Sequence, residues 1–462
     1  MTPSRRHARA LSPRRLLPVA LASTTALVGG TVVSVRTTGA SAALPVVRTG
    51  MVASVVADTL TVVNEQTGRR IVVGRGHISD PSFSHTGTYV AYLTPGPGGG
   101  ELHVVRSAGG PTRARVPGVE HFSWSTTKDE LAVSLARHVE LVSATGAILR
   151  SWTLAGPGGL SFSPSGGELA VGAVFRGATG TTLVGRLVVL STLGGRARVI
   201  AATPGTCQMV AGWTSDGADV LSWADPQCSA SIAADGLELD AVAVRDARAH
   251  PLAVSLPDRS WVVPAGGSTV LINAGRDRIV ADHKAVRACN AATGRCQQLP
   301  LPVGTTTLDP AVAIGARRLF VVRVPQSVRS DEVPVGTLWT SSLSGLGAQR
   351  VVAAGEPVAD PVPSWDGSTV TFVRLMPSGP ELVEVLDLAS GRIHRVATVA
   401  PATFFGEFRA ANVLAVWPGS YVPSADPLPA HRPLERRSPS RAREAALARV
   451  SAPDRRASST TS

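Results

Sequence analysis

The sequence predicts an all-β fold, a β-propeller of about eight four-stranded blades. Three observations predict it. A unit consisting of an extended apolar run, a polar turn that usually contains glycine, and a second apolar run occurs seven times in the chain. Successive units begin 38 to 52 residues apart, which leaves room for four short strands in each. Between Ala43 and Trp417, no segment of useful length has the 3.6-residue period of a helix.

Each unit begins with a hairpin and continues into one or two further strands. The first strands of the seven units are centred on Phe83, Trp124, Phe162, Trp213, Val262, Ala313 and Trp365. The third strands are predicted at 102–105, 138–142, 187–190, 239–244, 285–289, 337–341 and 381–386. The units around Val262 and Ala313 are degenerate, so seven blades is the alternative to eight.

The two ends of this region complement each other. Residues 59–73 resemble the third and fourth strands of a blade, and residues 405–417 resemble a first and second strand. Together they make one further blade, which closes the ring without a covalent bond and leaves no blade edge open. We therefore expect the propeller to be residues 43–417, closed by strands from both ends.

Residues 1–42 have the layout of an export signal. Five arginines in the first 15 residues precede an uncharged stretch at 16–35, and Ala40-Ser41-Ala42 forms a small-x-small cleavage site. Residues 16–35 are long enough to span a bilayer if they are not removed. The sequence thus predicts a signal peptide or a single-pass anchor. Both place the rest of the chain outside the cytoplasm, secreted or at the cell envelope, and Arg14-Arg15 leaves open whether export is by the Sec or the Tat route.

Residues 418–462 are rich in Pro, Ser, Ala and Arg and are predicted to be disordered. The formal charge of +12 is concentrated in this tail and at the N-terminus, so the propeller itself is nearly neutral. This distribution argues against a nucleic-acid partner. We expect membrane contact only through residues 16–35, or weakly through the basic tail.

The four cysteines form two pairs, each spanning one predicted hairpin: Cys207 with Cys228, and Cys289 with Cys296. Facing positions on antiparallel strands bring β-carbons to about 5.5 Å, which is close to what a disulfide needs. The alternatives are reduced thiols or a metal site, but neither pair has CxxC spacing. We expect two local disulfides in an oxidising compartment.

Several turns carry a common motif, as in Asp80-Pro-Ser-Phe-Ser-His-Thr-Gly87 and Asp360-Pro-Val-Pro-Ser-Trp-Asp-Gly367. These residues resemble the repeats of TolB-like β-propellers, also called WD40-like or PD40 repeats, over roughly residues 55–417. The resemblance implies a propeller fold. Family members include adaptor proteins of the periplasm and the propeller domains of prolyl-oligopeptidase-type peptidases.

The sequence contains no recognisable catalytic constellation. No serine has glycine two residues away on both sides, and no stretch alternates strands with helices, which excludes the hydrolase partner of peptidase propellers. No two histidines have metal-site spacing. Asp80, Asp309 and Asp360 each begin a unit and, with His121, are candidate channel-mouth residues. One interpretation is that the aspartates bind calcium as a cofactor. The other is that Asp before Pro only initiates a turn.

These observations predict an exported, non-catalytic and monomeric propeller that binds or scaffolds an envelope protein, with no cofactor. The alternative is an enzyme that uses the channel, such as a metal-dependent, lactonase-like hydrolase.

Overall fold

The computed structural model describes residues 50–176, 183–226, 228, 236–275, 284–326, 336–352, 357–399, 403–404, 407–408 and 414–419. These residues form 34 strands and one short 3₁₀ helix, arranged as eight four-stranded sheets and one two-stranded ribbon. The predicted export segment lies outside the described residues, as does the predicted tail beyond residue 419.

The first three strands, β1 (Met51–Val56), β2 (Thr59–Asn64) and β3 (Arg70–Arg75), belong to the blade that closes the ring. Seven blades of consecutive strands follow. Blade 1 contains β4 (Ser79–Phe83), β5 (Tyr89–Gly96), β6 (Gly99–Arg106) and β7 (Ala114–Val119). Blade 2 contains β8 (His121–Trp124), β9 (Glu130–Leu135), β10 (His138–Ser143) and β11 (Ile148–Thr153). Blade 3 contains β12 (Pro157–Phe162), β13 (Glu168–Arg176), β14 (Leu183–Ser191) and β15 (Arg198–Pro204). Blade 4 contains β16 (Thr206–Trp213), β17 (Asp219–Pro226), β18 (Leu237–Ala243) and β19 (Ala249–Ser255).

The 3₁₀ helix, Arg259–Trp261, precedes blade 5. Blade 5 contains β20 (Val262–Pro264), β21 (Thr269–Ala274), β22 (Ala285–Asn290) and β23 (Arg295–Gln298). Blade 6 contains β24 (Thr305–Ala313), β25 (Arg318–Pro325), β26 (Thr337–Ser342) and β27 (Gln349–Arg350). Blade 7 contains β28 (Val358–Pro363), β29 (Thr369–Arg374), β30 (Glu381–Asp387) and β31 (Ile393–Val399). The ribbon is β32 (Thr403–Phe404) with β33 (Glu407–Phe408), and the last strand is β34 (Leu414–Trp417).

The eight four-stranded sheets are antiparallel blades, so the predicted all-β propeller of eight blades is confirmed. The two degenerate units both form complete blades, and the seven-blade alternative is wrong. Blade 5 was hard to recognise because its first strand has three residues and follows a 3₁₀ turn. The first strands of successive blades contact one another, for example β8 with β12 and β12 with β16. Together these strands surround the central channel.

The core of the molecule lies between the blades. Both faces of each sheet carry apolar side chains, so each blade packs against its two neighbours. The closing blade illustrates this arrangement. Val52 and Val63 pack against blade 7 through Val373 and Val385, whereas Ala53, Val55, Leu60 and Val62 pack against blade 1. Successive side chains along β1 and β2 thus point to opposite faces of the closing blade, so one face packs on blade 7 and the other on blade 1.

Closure by strands from both ends is confirmed, but the predicted division of the closing blade is wrong. Its strand order is β3, β2, β1, β34. The C-terminal end supplies only the innermost strand, with Met51 facing Trp417 and Ser54 facing Leu414. The N-terminal end supplies three strands because β1, which precedes the segment assigned from sequence, is also part of the blade. Residues 405–417 were expected to form the first and second strands of this blade, but within them β33 (Glu407–Phe408) pairs with β32 in the separate ribbon.

Candidate functional site

The candidate site lies in the channel at the face where the innermost strands begin, which we call the upper face. Asp80 and Asp360 lie near this end of β4 and β28, and Asp309 is the fifth of the nine residues of β24. Each occupies a β-bulge, since the pairing register shifts between Ser79 and Ser82 and at the corresponding points of the other two strands. Bulges of this kind re-aim side chains and often occur next to functional sites.

The three aspartates share an unusual backbone conformation. Their φ angles are 53° at Asp80, 49° at Asp309 and 48° at Asp360, in the left-handed region that Asp tolerates better than most residues. Each is followed by proline. The aspartates therefore lie inside the innermost strand and kink it. They do not initiate a turn into that strand, which was the alternative to calcium binding in the sequence analysis.

The aspartates also make specific hydrogen bonds. The carboxylate of Asp309 accepts a bond from the backbone N–H of Asp360 at 3.3 Å, so the bulge of blade 6 is joined to that of blade 7. Asp80 accepts a bond from the hydroxyl of Ser79 at 2.8 Å. Within the described part of the chain, no group of three His, Cys, Asp or Glu side chains has the geometry to hold a metal ion.

His121, the fourth candidate, is the first residue of β8 and is accessible to solvent. The pKa of His121 is lowered, first because protein surrounds the ring and second because of the positive charge of Arg259. The charges of Glu120 and Asp80 oppose this shift without cancelling it. The structure thus brings His121 into the electrostatic neighbourhood of Asp80 and of an arginine that the sequence analysis did not single out. Burial and the charge of Arg259 thus both favour the neutral imidazole.

Arg259 is the residue that sequence reasoning missed. It is the first residue of the 3₁₀ turn before blade 5, and Asp258 caps that turn by accepting a bond from the Ser260 N–H at 2.9 Å. Its guanidinium extends back along the channel wall. Nε donates to the carbonyl of Val210 at 2.9 Å and Nη1 donates to the carbonyl of Leu160 at 3.0 Å.

These two carbonyls belong to the innermost strands of blades 4 and 3. One side chain therefore links three consecutive blades across the open edges of their inner strands. The side chain is partly accessible to solvent in the channel, yet the surrounding protein lowers the pKa of its guanidinium, with Asp258 opposing the shift. A Pro-Asp-x-Ser capping sequence before a short strand was the only signal in the sequence.

Gly159 makes room for this arginine. A Cβ at this position would lie 2.6 Å from Arg259 Nη2, and no other residue comes closer than 4 Å to it. In β12, Gly158-Gly159 occupies the bulge that Asp-Pro occupies in blades 1, 6 and 7. Blade 3 thus differs from those blades at the place where the guanidinium lies.

Two clefts open at the same face. One of about 480 Å³ is lined by Asp58, His77 and Glu120 among others, and Nδ1 of the exposed His77 lies 3.3 Å from Oδ1 of Asp58. The other, of about 500 Å³, lies between blades 5 and 6 and includes Lys284 and Arg287 in its wall. The Lys284 ammonium lies over the Trp261 ring, 4.8 Å from its centroid. The upper face is consequently rich in both signs of charge.

Both predicted cysteine pairs lie at disulfide distance. Cys289 and Cys296 face each other across β22 and β23, with Cα atoms 4.0 Å apart. The Cα atoms of Cys207 and Cys228 are 5.0 Å apart, but Cys207 faces Asp225, and Cys228 lies beyond the end of β17. The pair Cys207–Cys228 therefore joins an inner strand to a residue just beyond the end of β17 at the upper face. It does not join two facing strand positions. Disulfides of this kind are typical of oxidising compartments.

Among the described residues, no helix has the length and apolar character to cross a membrane.

Several solved structures are similar to this chain in fold. The dihydro-heme d1 dehydrogenase NirN, in complex with DHE, has a TM-score of 0.51 at 9% identity over 80% of this chain and 75% of that one. A putative TolB from Agrobacterium tumefaciens has a TM-score of 0.35 at 14% identity, over 81% of this chain and 99% of that one. A prolyl endopeptidase has a TM-score of 0.45 at 11% identity, over 75% of this chain and 50% of that one. This chain thus spans about half the length of the endopeptidase.

No family model matches the sequence, and no curated protein matches it either. The similar structures include TolB proteins, as the repeat motif implied, but also enzymes of different kinds. At these identities the likeness shows the fold alone. What the fold and the site define is an eight-bladed β-propeller with charged side chains of both signs at its upper face.

Proposed function

We propose that this protein is an exported, non-catalytic β-propeller that binds a partner protein of the cell envelope at its upper face. The observation that carries the proposal is the set of charged and polar side chains presented there from rigid inner strands of different blades. Asp80, His121, Asp309 and Asp360 come from blades 1, 2, 6 and 7, and Arg259 adds a cation beside blades 3 and 4. Sites built on strands hold their geometry better than sites built on loops.

Two further features support the compartment and the mode of action. The cysteine pairs favour an oxidising environment, in agreement with the export signal predicted for residues 1–42. Loops from every blade meet at one face of a propeller, which therefore offers a broad surface to a partner. Charge of both signs at that face favours selective recognition of a complementary surface.

The test compares two charge reversals at opposite ends of one hairpin. Glu120 is exposed in the upper cleft just before β8, and Lys128 is exposed in the turn between β8 and β9 at the other face. Immobilised residues 43–419 carrying no substitution, Glu120→Arg or Lys128→Glu are used to capture proteins from envelope extract. Captured proteins are identified by mass spectrometry, and cross-links to the propeller are mapped.

We expect a specific partner that is retained by the Lys128→Glu variant, lost by the Glu120→Arg variant, and cross-linked to the upper face. Equal loss in both variants, or cross-links confined to the opposite face, contradicts the proposed surface. Metal analysis of the purified protein is done in parallel. A stoichiometric divalent cation whose removal abolishes a hydrolytic activity would favour the channel enzyme instead.

A further inference from the structure

We propose that Arg259 forms an anion-binding site in the channel and that this site receives a carboxylate group of the bound partner. The inference deepens the proposed function and rests on it only for the claim that the ligand is a polypeptide. The anion site itself depends only on the geometry of the channel wall.

The guanidinium of Arg259 has hydrogen-bonding capacity that the described residues do not use. Arginine has five N–H donors in one plane, and the carbonyls of Val210 and Leu160 use one on Nε and one on Nη1. In the part of the chain that the structure describes, the remaining N–H on Nη1 and the two on Nη2 have no protein acceptor. The two backbone carbonyls hold the plane of the fork in place. A carboxylate can therefore bind without further ordering of the side chain.

The charge of the guanidinium also favours an anion. A cation that protein partly desolvates is stabilised by pairing with an anion. The described part of the chain contains no carboxylate in ion-pair contact with Arg259. Its neighbour Asp258 is engaged by the N–H and hydroxyl of Ser260, at 2.9 and 2.7 Å. The positive charge is thus partly desolvated and is balanced by two carbonyl dipoles and by the charge of Asp258, which makes no ion-pair contact with it, so an anion from outside would complete a contact pair.

The chain also leaves room for the fork at Gly159. Gly159 has no left-handed φ that would require glycine, and the atom closest to its missing Cβ is Arg259 Nη2. The glycine therefore leaves the space that the fork occupies and is not required by the backbone conformation. A substitution there acts on the position of the guanidinium and leaves the charge of the site unchanged.

The His121 imidazole lies within the electrostatic influence of the guanidinium. Arg259 is the strongest charge acting on His121, and it favours the neutral ring. A neutral imidazole donates one hydrogen bond and accepts another, so it can serve a polar group beside the carboxylate. His121 also reports on the site, because an anion bound to Arg259 would cancel part of the positive field and raise the pKa of the imidazole.

A planar, bidentate acceptor suits the two parallel N–H groups of such a fork, which favours a carboxylate. In a polypeptide, this group is either the side chain of Asp or Glu or the C-terminal carboxylate. The two sources share the same chemistry, and short peptides separate them.

The experiment uses the exported chain, with the His121 ring followed by NMR titration and assigned with His121→Gln. The probes are sodium acetate, acetyl-Gly-Asp-Gly-amide, acetyl-Gly-Gly-Gly with a free C-terminus, and acetyl-Gly-Asn-Gly-amide as the neutral control. All measurements are made at constant ionic strength, with chloride as the replaced anion. Binding to Arg259 should raise the pKa of His121 saturably, by about half a unit or more.

Three variants test the assignment. Arg259→Gln removes the charge, and Gly159→Ala displaces the fork while keeping the charge. Arg150→Gln is the matched control, because the Arg150 guanidinium also donates to two carbonyls, those of Thr192 and Leu193 at 2.6 and 2.8 Å, but on an exposed surface. We expect acetate affinity to fall about tenfold or more in the first two variants and to stay unchanged in the third.

The outcomes separate the two parts of the inference. No saturable effect of acetate, or an equal effect in Arg259→Gln, overturns the anion site, whatever becomes of the proposed function. Saturable acetate binding that is lost in Gly159→Ala, a protein whose charge is unaltered, supports it. If acetate binds and neither acidic peptide does, the site stands but a polypeptide carboxylate is wrong as its ligand. A response to the Asn peptide equal to that of the Asp peptide also overturns carboxylate recognition.

Discussion

Replacing Trp417 by alanine should loosen the ring at its point of closure. Trp417 ends the strand that joins the C-terminal region to β1, and its side chain is 7% exposed. Its Nε1 donates to the carbonyl of His85 in blade 1 at 3.2 Å. The ring also lies against Gly87, where a Cβ would be 2.6 Å from the indole. The residue therefore holds β34 against the next blade as well as against its own.

The size of the effect follows from burial. Truncation of a buried Trp to Ala costs about 3 to 5 kcal/mol of unfolding free energy, which includes the cavity left behind. Unfolding entropy is about 2.1 cal/mol/K per residue, or roughly 0.8 kcal/mol/K for a propeller of this length. A loss of about 4 kcal/mol therefore lowers the melting temperature by about 5 °C.

The matched control is Trp124→Ala. Trp124 ends the innermost strand of blade 2, is 8% exposed, and donates from Nε1 to the carbonyl of Ser82 at 3.1 Å. Burial and hydrogen bonding are thus the same as for Trp417, but blade 2 is built from one continuous segment. Both variants should lose similar stability by calorimetry. Only Trp417→Ala should speed hydrogen exchange at residues 51–54, which pair with β34.

Two deletions complete the test. A chain ending at Val399 lacks β34 and should aggregate, because β1 is left as an open edge. A chain ending at Gly419 keeps β34 and should melt at nearly the temperature of the full protein. Unchanged exchange at residues 51–54 in Trp417→Ala, or similar behaviour of the two deletions, would refute the view that β34 secures the ring.

Three further predictions concern other parts of the chain. Burial raises the pKa of Glu65, so folding disfavours its charged form. The loss of stability caused by this group is therefore smallest at acid pH, where the carboxyl group is protonated in both the folded and the unfolded state. Glu65→Gln, which can still accept the bond from Thr371, should raise the melting temperature at pH 7.5, with the gain shrinking towards pH 4. Replacing Cys289 and Cys296 by serine should cost about 2 to 3 kcal/mol in denaturant unfolding, and unchanged stability would show that the bond is dispensable. Mass analysis of the exported protein should find Ala43 as its first residue, whereas an intact residue 1–42 segment would indicate an anchor.

The blade architecture was predictable from the sequence because each unit repeats the same local pattern of strands and turns. The division of the closing blade was not read correctly, although the signal was present. Pro363 ends the innermost strand of blade 7 and Trp417 follows it by 54 residues, close to the spacing of the innermost strands before it. The repeat phase therefore marked 414–417 as an innermost strand, and apolar residues 51–56 as its neighbour.

The site was less predictable than the fold, for a physical reason. The three aspartates stand out because Asp-Pro recurs, but their positive φ angles depend on bulges that form only when the strands pair. Arg259 bonds to carbonyls 49 and 99 residues earlier in the chain. No local pattern encodes such a reach, since it arises from the packing of three blades around one channel.

The closing blade also sets an order of events in synthesis. A chain made from its N-terminus produces β1, β2 and β3 first, and β34 only after blades 1 to 7 are complete. Throughout that time the edge of β1 and the apolar face that blade 7 will cover have no partner. The two ends of the ring can meet only once residue 417 is available. The last four residues to join the sheet thus determine when the molecule first becomes a single cooperative structure.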